Sequence, residues 1–398
     1  MCGIVGYLGS RNVVNVLVGG LSRLEYRGYD SAGISLIEDG FVTCIKAKGR
    51  LFNLEEKLMN NTLSSRLGIG HTRWATHGAP SDENSHPHNS NNGKISVVHN
   101  GIIENYMELR EKLKEQGYLF YSDTVTEVIP NLIDFYNEGD LLSAIRKTIK
   151  DLKGSYALGI ISTENPNQIV AIRKDSPLVI GLGENESFIA SDVPAILSYT
   201  KEIIYLDDGE LAVLSGETVT IYNVQGNNIE KESTLITWTA ESAEKGGYDH
   251  FTLKEINEQP KALRDTMVSR IIPGEKIKLD DIHITKEMLE SYTRIYVIAC
   301  GTAYNAGLIG KVAIEKLAKI PVEVDIASEF RYREPLIDKN TLLITISQSG
   351  ETADTLAVLR DAKRQGARVI TITNVVGSSI SREAHDVFYT WAGPEIGV

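Results

Sequence analysis

Short apolar runs broken by glycine or polar residues dominate the first 225 positions. Residues 2–9 and 32–37 alternate or run apolar between such breakers and predict strands. Residues 13–24 place Leu17, Leu21 and Leu24 on one face, which predicts a helix. Residues 95–98 predict a strand ending near Asn100-Gly101, a turn pair, and 105–116 predict a helix closed by Gly117. Further strands are expected at 156–162, 168–172, 178–182, 203–206, 211–214 and 218–222. Mostly polar residues 225–248, with Gly226-Asn227-Asn228 and Glu244-Lys245-Gly246-Gly247, read as a linker. Residues 253–268 have helical spacing, interrupted or started at Pro260.

From about residue 285 the pattern changes. Strands at 295–299, 322–326, 341–346 and 368–373 alternate with helices at 306–317 and 352–364. That alternation predicts a parallel α/β sheet of flavodoxin-like type. The chain shows no internal repeat and no low-complexity tract.

Composition narrows the picture. A length of 398 residues suggests two or three domains with ample core. A hydrophobic content of 42% with a mean hydropathy of -0.13 fits a globular chain. No apolar run approaches the ~20 residues of a membrane span, and no basic segment followed by an apolar core marks a secretory signal. Three cysteines, Cys2, Cys44 and Cys300, are an odd and sparse set that argues against a disulfide framework and for a reducing cytoplasm. A net charge of -12 disfavours nucleic acid as a partner. It leaves room for an anionic substrate, because local backbone donors bind phosphate inside acidic proteins.

The chain opens Met1-Cys2-Gly3-Ile4-Val5-Gly6. Trimming of Met1 would leave a thiol and a free α-amine on one Cα. The thiol is the nucleophile; the amine, with an ordinary pKa of about 8, accepts its proton directly or through one water. A plain alternative is a buried cysteine leading into a first strand.

Cys2–Gly6, then Leu24-Glu25-Tyr26-Arg27-Gly28-Tyr29-Asp30-Ser31, His71-Thr72-Arg73-Trp74-Ala75-Thr76-His77-Gly78 and His99-Asn100-Gly101, resemble a class II glutamine amidotransferase, an N-terminal-nucleophile hydrolase. Ala299-Cys300-Gly301-Thr302 and Ser347-Gln348-Ser349-Gly350-Glu351-Thr352 resemble a sugar isomerase (SIS) domain. In this order, over the whole chain, the two are similar to the glutamine–fructose-6-phosphate aminotransferase family. The fold this implies is an αββα sandwich over 2–225, a linker and connecting helix over 226–284, and a flavodoxin-like parallel α/β SIS domain, truncated, over 285–398.

The resemblance also implies roles. Cys2 is the nucleophile, and Asn100 with the N–H of Gly101 forms an oxyanion hole, a donor set whose members can each be worth ~3 kcal/mol in the transition state. Asn100-Gly101 alone would equally be an ordinary hairpin turn. Arg73 holds the α-carboxylate of glutamine as a bidentate pair, Thr76 and His77 line the pocket, and Trp74 acts as a gate. Arg27 braces the site or forms a structural salt bridge. One departure stands out: in Ser122-Asp123-Thr124-Val125-Thr126-Glu127, Val125 occupies the position of the acid that binds the α-ammonium of glutamine in the family. Valine cannot pair with an ammonium, so weakened glutamine binding is expected, with Asp123 the nearest substitute.

His71, His77, His86, His88 and His99 are five of the eight histidines. No His-x-x-x-His or Cys-x-x-Cys pair supports a metal reading, and neither metal nor cofactor is expected.

Ser347–Thr352 sits between a buried strand and a helix, which aims free N–H groups and the positive helix end at one point. Ser347, Ser349 and Thr352 add hydroxyls, Gln348 an amide, and Gly350 lets the backbone approach a ligand. This is a phosphate cradle without a Walker lysine; a simple Ser/Thr helix cap is the structural alternative. Gly301-Thr302 should form a second edge, with Cys300 as packing. Ala303 stands where some relatives carry a serine.

The resemblance implies conversion of D-fructose 6-phosphate and L-glutamine to D-glucosamine 6-phosphate and L-glutamate, on a path to hexosamines, and a homodimer through SIS domains. Phosphoribosyl-transferring or asparagine-forming relatives would need a diphosphate loop or an ATP-splitting Ser-Gly-Gly loop, and neither is present. The family's second SIS half and C-terminal tail are not in these residues, so the chain is expected to be an N-terminal portion unable to complete the synthesis alone. A reading from another class is a sugar-phosphate sensor with a silent glutaminase domain.

Overall fold

The computed structural model describes residues 2–25, 28–59, 61, 63–75, 78–216, 218–236, 247–268, 270–271, 277, 279, 282–393 and 395–397. Arg27, Thr76 and His77, three of the expected site residues, lie outside them. The chain divides into two compact units, Met1–Ala243 and Glu244–Gly397.

Two sheets form the first unit. One has eight strands, in the order Thr234–Leu235, Glu202–Tyr205, Val179–Gly183, Glu186–Ala190, Gly3–Leu8, Leu67–Arg73, Ser31–Glu38 and Phe41–Lys48. The other has seven: Asn228–Ile229, Thr218–Tyr222, Leu211–Ser215, Ile169–Lys174, Gly154–Ser162, Ile95–Ile103 and His88–Asn89. Strand alternation sends one set of side chains inward from each sheet. Ile4, Ile69 and Ile189 of the first meet Val98, Ala157 and Ala212 of the second in one core. Outward-facing residues of the first sheet pack with the helix Val13–Ser22, where Asn12 caps the helix by accepting from the N–H of Asn15 at 3.0 Å. The second sheet is covered by the helices Tyr106–Glu115, Val128–Tyr136 and Leu141–Asp151. The layers are therefore α, β, β, α.

The second unit has one parallel sheet, ordered Val322–Ile326, Arg294–Ala299, Thr341–Ile346, Arg368–Thr373 and Asp386–Tyr389. The inner strands Arg294–Ala299 and Thr341–Ile346 are mostly apolar because both faces are covered, whereas the edge strand Val322–Ile326 leaves Glu323 and Ile326 exposed. Tyr296 and Ile298 join a cluster with Val358 and Leu359 of the helix Ala353–Arg364, whereas Ile295 and Val297 join another with Ile314 of the helix Thr302–Ala318.

Three expectations are corrected. The strand expected to stop near Asn100-Gly101 runs through both residues to Ile103, because Asn100 pairs with Ala157 and Gly101 with Tyr156. The stretch read as linker from 226 is partly sheet: Asn228–Ile229 pairs with Thr218–Tyr222, and Thr234–Leu235 with Glu202–Tyr205. The helix Phe251–Val268 continues through Pro260 without a break.

Candidate functional site

The strand Gly3–Leu8 delivers Cys2. Gly3 lies opposite Thr72, and a Cβ on it would fall 2.6 Å from Thr72 Oγ1 and 2.8 Å from Leu24 Cβ, so only glycine lets the strands close here. Cys2 thus arrives beside Trp74, whose N–H donates to Cys2 Sγ at 3.2 Å. Burial pushes the Cys2 thiol up from its ordinary value, against the opposing pull of the Trp74 N–H. At neutral pH such a thiol is protonated, and it needs a base to become a nucleophile.

Asn100 comes from the other sheet. It is 8% exposed, and its Nδ2 donates to the main-chain oxygen of Cys2 at 3.0 Å. Its Oδ1 lies 2.9 Å from Nε2 of His71, on the strand Leu67–Arg73. Gly101 has φ 128, and a Cβ there would lie 2.2 Å from Ser155 O. No side chain fits there, and Gly101 is exposed to solvent.

Arg73 is buried, with Nη2 donating to Gly78 O at 2.9 Å. Asp30, quoted in the sequence pattern without a role, ties this segment down: its N–H donates to Arg73 O at 3.0 Å, and its Oδ2 accepts from Ala75 N at 2.8 Å. Trp74 is partly exposed and meets Tyr29 edge-on, with ring centroids 5.3 Å apart. Asp123 is exposed and close to Gly78, where a glycine Cβ would lie 3.1 Å from Asp123 Cβ; its N–H donates to Asn84 Oδ1 at 2.9 Å. Cys2, Arg73, Trp74, Asn100 and, through Gly78, Asp123 are thereby linked. Val125 is not part of this set: its side chain belongs to the apolar cluster with Val128 and Ile129. Glu127 closes the segment by accepting from the N–H groups of Tyr121 and Ser122 and from the Ser122 hydroxyl.

Four histidines form a block behind Asn100. His71 and His86 lie 4.3 Å apart between ring centroids, His86 and His88 5.0 Å, and His86 and His99 6.4 Å. His88 Nε2 meets Thr124 Oγ1 at 3.0 Å, and His99 Nδ1 meets Thr126 Oγ1 at 2.8 Å. Burial lowers His71 to about 3 and His99 to about 4, and holds His86 and His88 well below their ordinary value, so all four are neutral at pH 7. Among the described residues no group of three or more His, Cys, Asp or Glu side chains is arranged to hold a metal ion.

The second unit places two loops at one sheet edge. Arg294–Ala299 and Thr341–Ile346 are parallel neighbours with Ala299 opposite Ile346, so residues 300–302 and 347–352 leave the sheet side by side. Each loop leads into a helix N-terminus: Gly301, φ 59, caps Thr302–Ala318, and Thr352 caps Ala353–Arg364. Ser347 Oγ lies 3.0 Å from Thr352 Oγ1 and accepts from Gly350 N at 3.1 Å; Ser349 Oγ accepts from Glu351 N at 3.2 Å. Gly350 has φ 65, and a Cβ there would strike Ser378 Oγ at 2.1 Å. The Gln348 main-chain oxygen accepts from Asn374 N and the Thr373 hydroxyl, which anchors the loop to the next strand. Cys300 is half-buried with Sγ 4.0 Å from Thr355 Oγ1. The sequence reading missed Glu351, whose carboxylate accepts from the N–H and hydroxyl of Ser379. Only strand order brings residues 351 and 379 together, so no local signal marks the pair.

Two family models match: a glutamine amidotransferase domain over residues 71–198 and a SIS domain over 288–398. The chain is 62% identical over 398 residues to a glutamine–fructose-6-phosphate aminotransferase (isomerizing) of Clostridium tetani and 63% identical to one of Clostridium acetobutylicum. Each match covers 100% of this chain and 66% of the relative, so the chain spans about two thirds of those proteins. A glutamine phosphoribosylpyrophosphate amidotransferase from B. subtilis shares the fold at a TM-score of 0.52 and 18% identity, over 98% of this chain and 90% of the other. With identity at this level running through both units, the chain belongs to the glutamine–fructose-6-phosphate aminotransferase family.

Proposed function

We propose that this chain carries the glutamine-hydrolysing site and a sugar-phosphate site of an enzyme that makes D-glucosamine 6-phosphate and L-glutamate from D-fructose 6-phosphate and L-glutamine. The observation that carries the reading is the meeting of Cys2 with Trp74 N–H on one side and Asn100 Nδ2 on the other. With Met1 removed, the α-amine of Cys2 takes the thiol proton, and the thiolate attacks the side-chain amide carbon of glutamine. The amide oxygen takes the negative charge and is met by Asn100 Nδ2–H and the N–H of Gly101. The C–N bond breaks, ammonia leaves with the returned proton, and water hydrolyses the γ-glutamyl thioester to glutamate. Arg73 pairs with the α-carboxylate and Trp74 borders the pocket; the family roles of Arg27, Thr76 and His77 belong to the same reading.

At the second site Gly301, Thr302, Ser347, Gln348, Ser349 and Thr352 hold the sugar phosphate at two converging helix N-termini. Ammonia adds to the ketose carbonyl, the carbinolamine loses water to give the imine, and isomerisation of the imine gives the amino aldose. A second domain over 285–398, a cytoplasmic location and a homodimer through SIS domains belong to the same reading, with the first domain running past 225 to take in Asn228–Ile229 and Thr234–Leu235.

Glutamate release from glutamine, with and without fructose 6-phosphate and beside Cys2→Ala, is the test. Release that vanishes in Cys2→Ala supports the reading. A second reading, a sugar-phosphate sensor with a silent glutaminase unit, is favoured by Val125; no release at millimolar glutamine from trimmed, folded protein would establish it instead.

A further inference from the structure

The block of buried histidines behind Asn100 contains one ring whose proton position is fixed by its neighbours. His71 Nε2 lies 2.9 Å from Asn100 Oδ1 and 3.1 Å from the main-chain oxygen of His99. The carbonyl oxygen of His99 only accepts, so Nε2 carries the proton and Nδ1 does not. Nδ1 has no partner among the described residues, and the ring is fully buried. A ring held as Nε2–H then fixes the amide it faces. Were the Asn100 amide turned over, its NH2 would face the Nε2–H donor, and its oxygen would face the Cys2 main-chain oxygen now 3.0 Å from Nδ2. Both contacts would be repulsive. Register sets up this geometry: His71 lies opposite Ile4 in the strand that also positions Cys2.

We infer that His71 is a positioning residue for glutamine hydrolysis: its Nε2–H, anchored on the carbonyl of His99, turns the donor end of the Asn100 side chain toward Cys2. The inference rests on the reading of Cys2 and Asn100 as glutaminase groups. His71 itself touches no substrate atom. Losing the orientation would remove one oxyanion donor from the transition state and leave the clamp at Arg73 in place.

The test compares His71→Leu, His71→Gln, Asn100→Ala and the double variant His71→Leu/Asn100→Ala in steady-state glutamate release. Leucine fills the space without a donor, and the glutamine side-chain N–H stands near the place of Nε2–H. His71→Leu is expected to lower kcat about 100-fold, the loss typical of one oxyanion donor, with KM within about twofold. His71→Gln should recover most of the activity. The double variant should be no slower than Asn100→Ala alone, since both remove the same interaction. Wild-type kcat in His71→Leu, losses that multiply in the double variant, or no rescue by glutamine would each overturn the inference. Release of no glutamate by the wild-type chain would instead overturn the underlying reading and this inference with it.

Discussion

At the residue scale, position 125 sets family chemistry against packing. Thr124 and Thr126 hydrogen-bond to His88 and His99, while Val125 is 8% exposed in an apolar cluster. Under the proposed function, a valine there would leave the ammonium of a bound glutamine to water or to exposed Asp123. Val125→Asp is expected to lower the KM for glutamine roughly tenfold, the worth of one hydrogen bond to a charged group, at nearly constant kcat. It should also cost about 2 kcal/mol in chemical denaturation, because a carboxylate replaces buried apolar surface. An unchanged KM would refute the assignment of this position. Cys2, Arg73 and Trp74 of the candidate site were legible at this scale, since the chemistry expected of them rests on residue type and neighbours in sequence. His71 was not. Its role depends on the meeting of residues 71 and 100 from two sheets, which no local pattern encodes.

At the element scale, sequence periodicity located most strands and misjudged how one of them ends. Asn100-Gly101 carries a true signal for unusual backbone, since Gly101 has φ 128. The signal marks a glycine inside a paired strand, pressed against Ser155 O, and not a hairpin turn. Leu67–Arg73 carries no apolar pattern to its end, because it finishes in the polar run His71-Thr72-Arg73, all of it buried. Four of the five parallel strands of the second unit stood out as mostly apolar runs between helices, while the short edge strand Asp386–Tyr389 did not. Their loops make a sharp prediction. Gly350→Ala combines a left-handed φ with a methyl 2.1 Å from Ser378 Oγ. It should displace the Ser347–Thr352 loop and weaken fructose 6-phosphate binding, read by calorimetry, at least tenfold. Wild-type affinity would separate this loop from the phosphate.

For the whole molecule, buried histidines are distributed unevenly. Four of them, His71, His86, His88 and His99, have lowered pKa values and lie in the first unit; in the second unit the described histidines, His385 with its lowered pKa among them, are exposed. A histidine held neutral in the fold binds its proton more weakly than in the unfolded chain, whose value is near 6.5. Its contribution to stability is therefore complete above about pH 6.5 and is lost as pH falls toward the folded values of about 4 for His99 and about 3 for His71. At pH 5.5 each such group costs about 1 kcal/mol, so the first unit loses roughly 4 kcal/mol. In the second unit Asp386, paired with Arg368 at 2.7 Å, has a lowered pKa, and its contribution is lost only below the ordinary carboxylate range near 4. Acid titration followed by circular dichroism and by Cys2 alkylation should show the first unit opening before the second. Simultaneous loss, or the reverse order, would contradict this balance.

Cys2 directly precedes the strand Gly3–Leu8, which is paired with Leu67–Arg73 from Gly3 onward and with Glu186–Ala190 from Val5 onward. A nucleophile carried on a free loop searches many backbone torsions before it meets its target. Here the sheet has already made that search, and the sulfur has one torsion left, about Cα–Cβ, with three staggered positions.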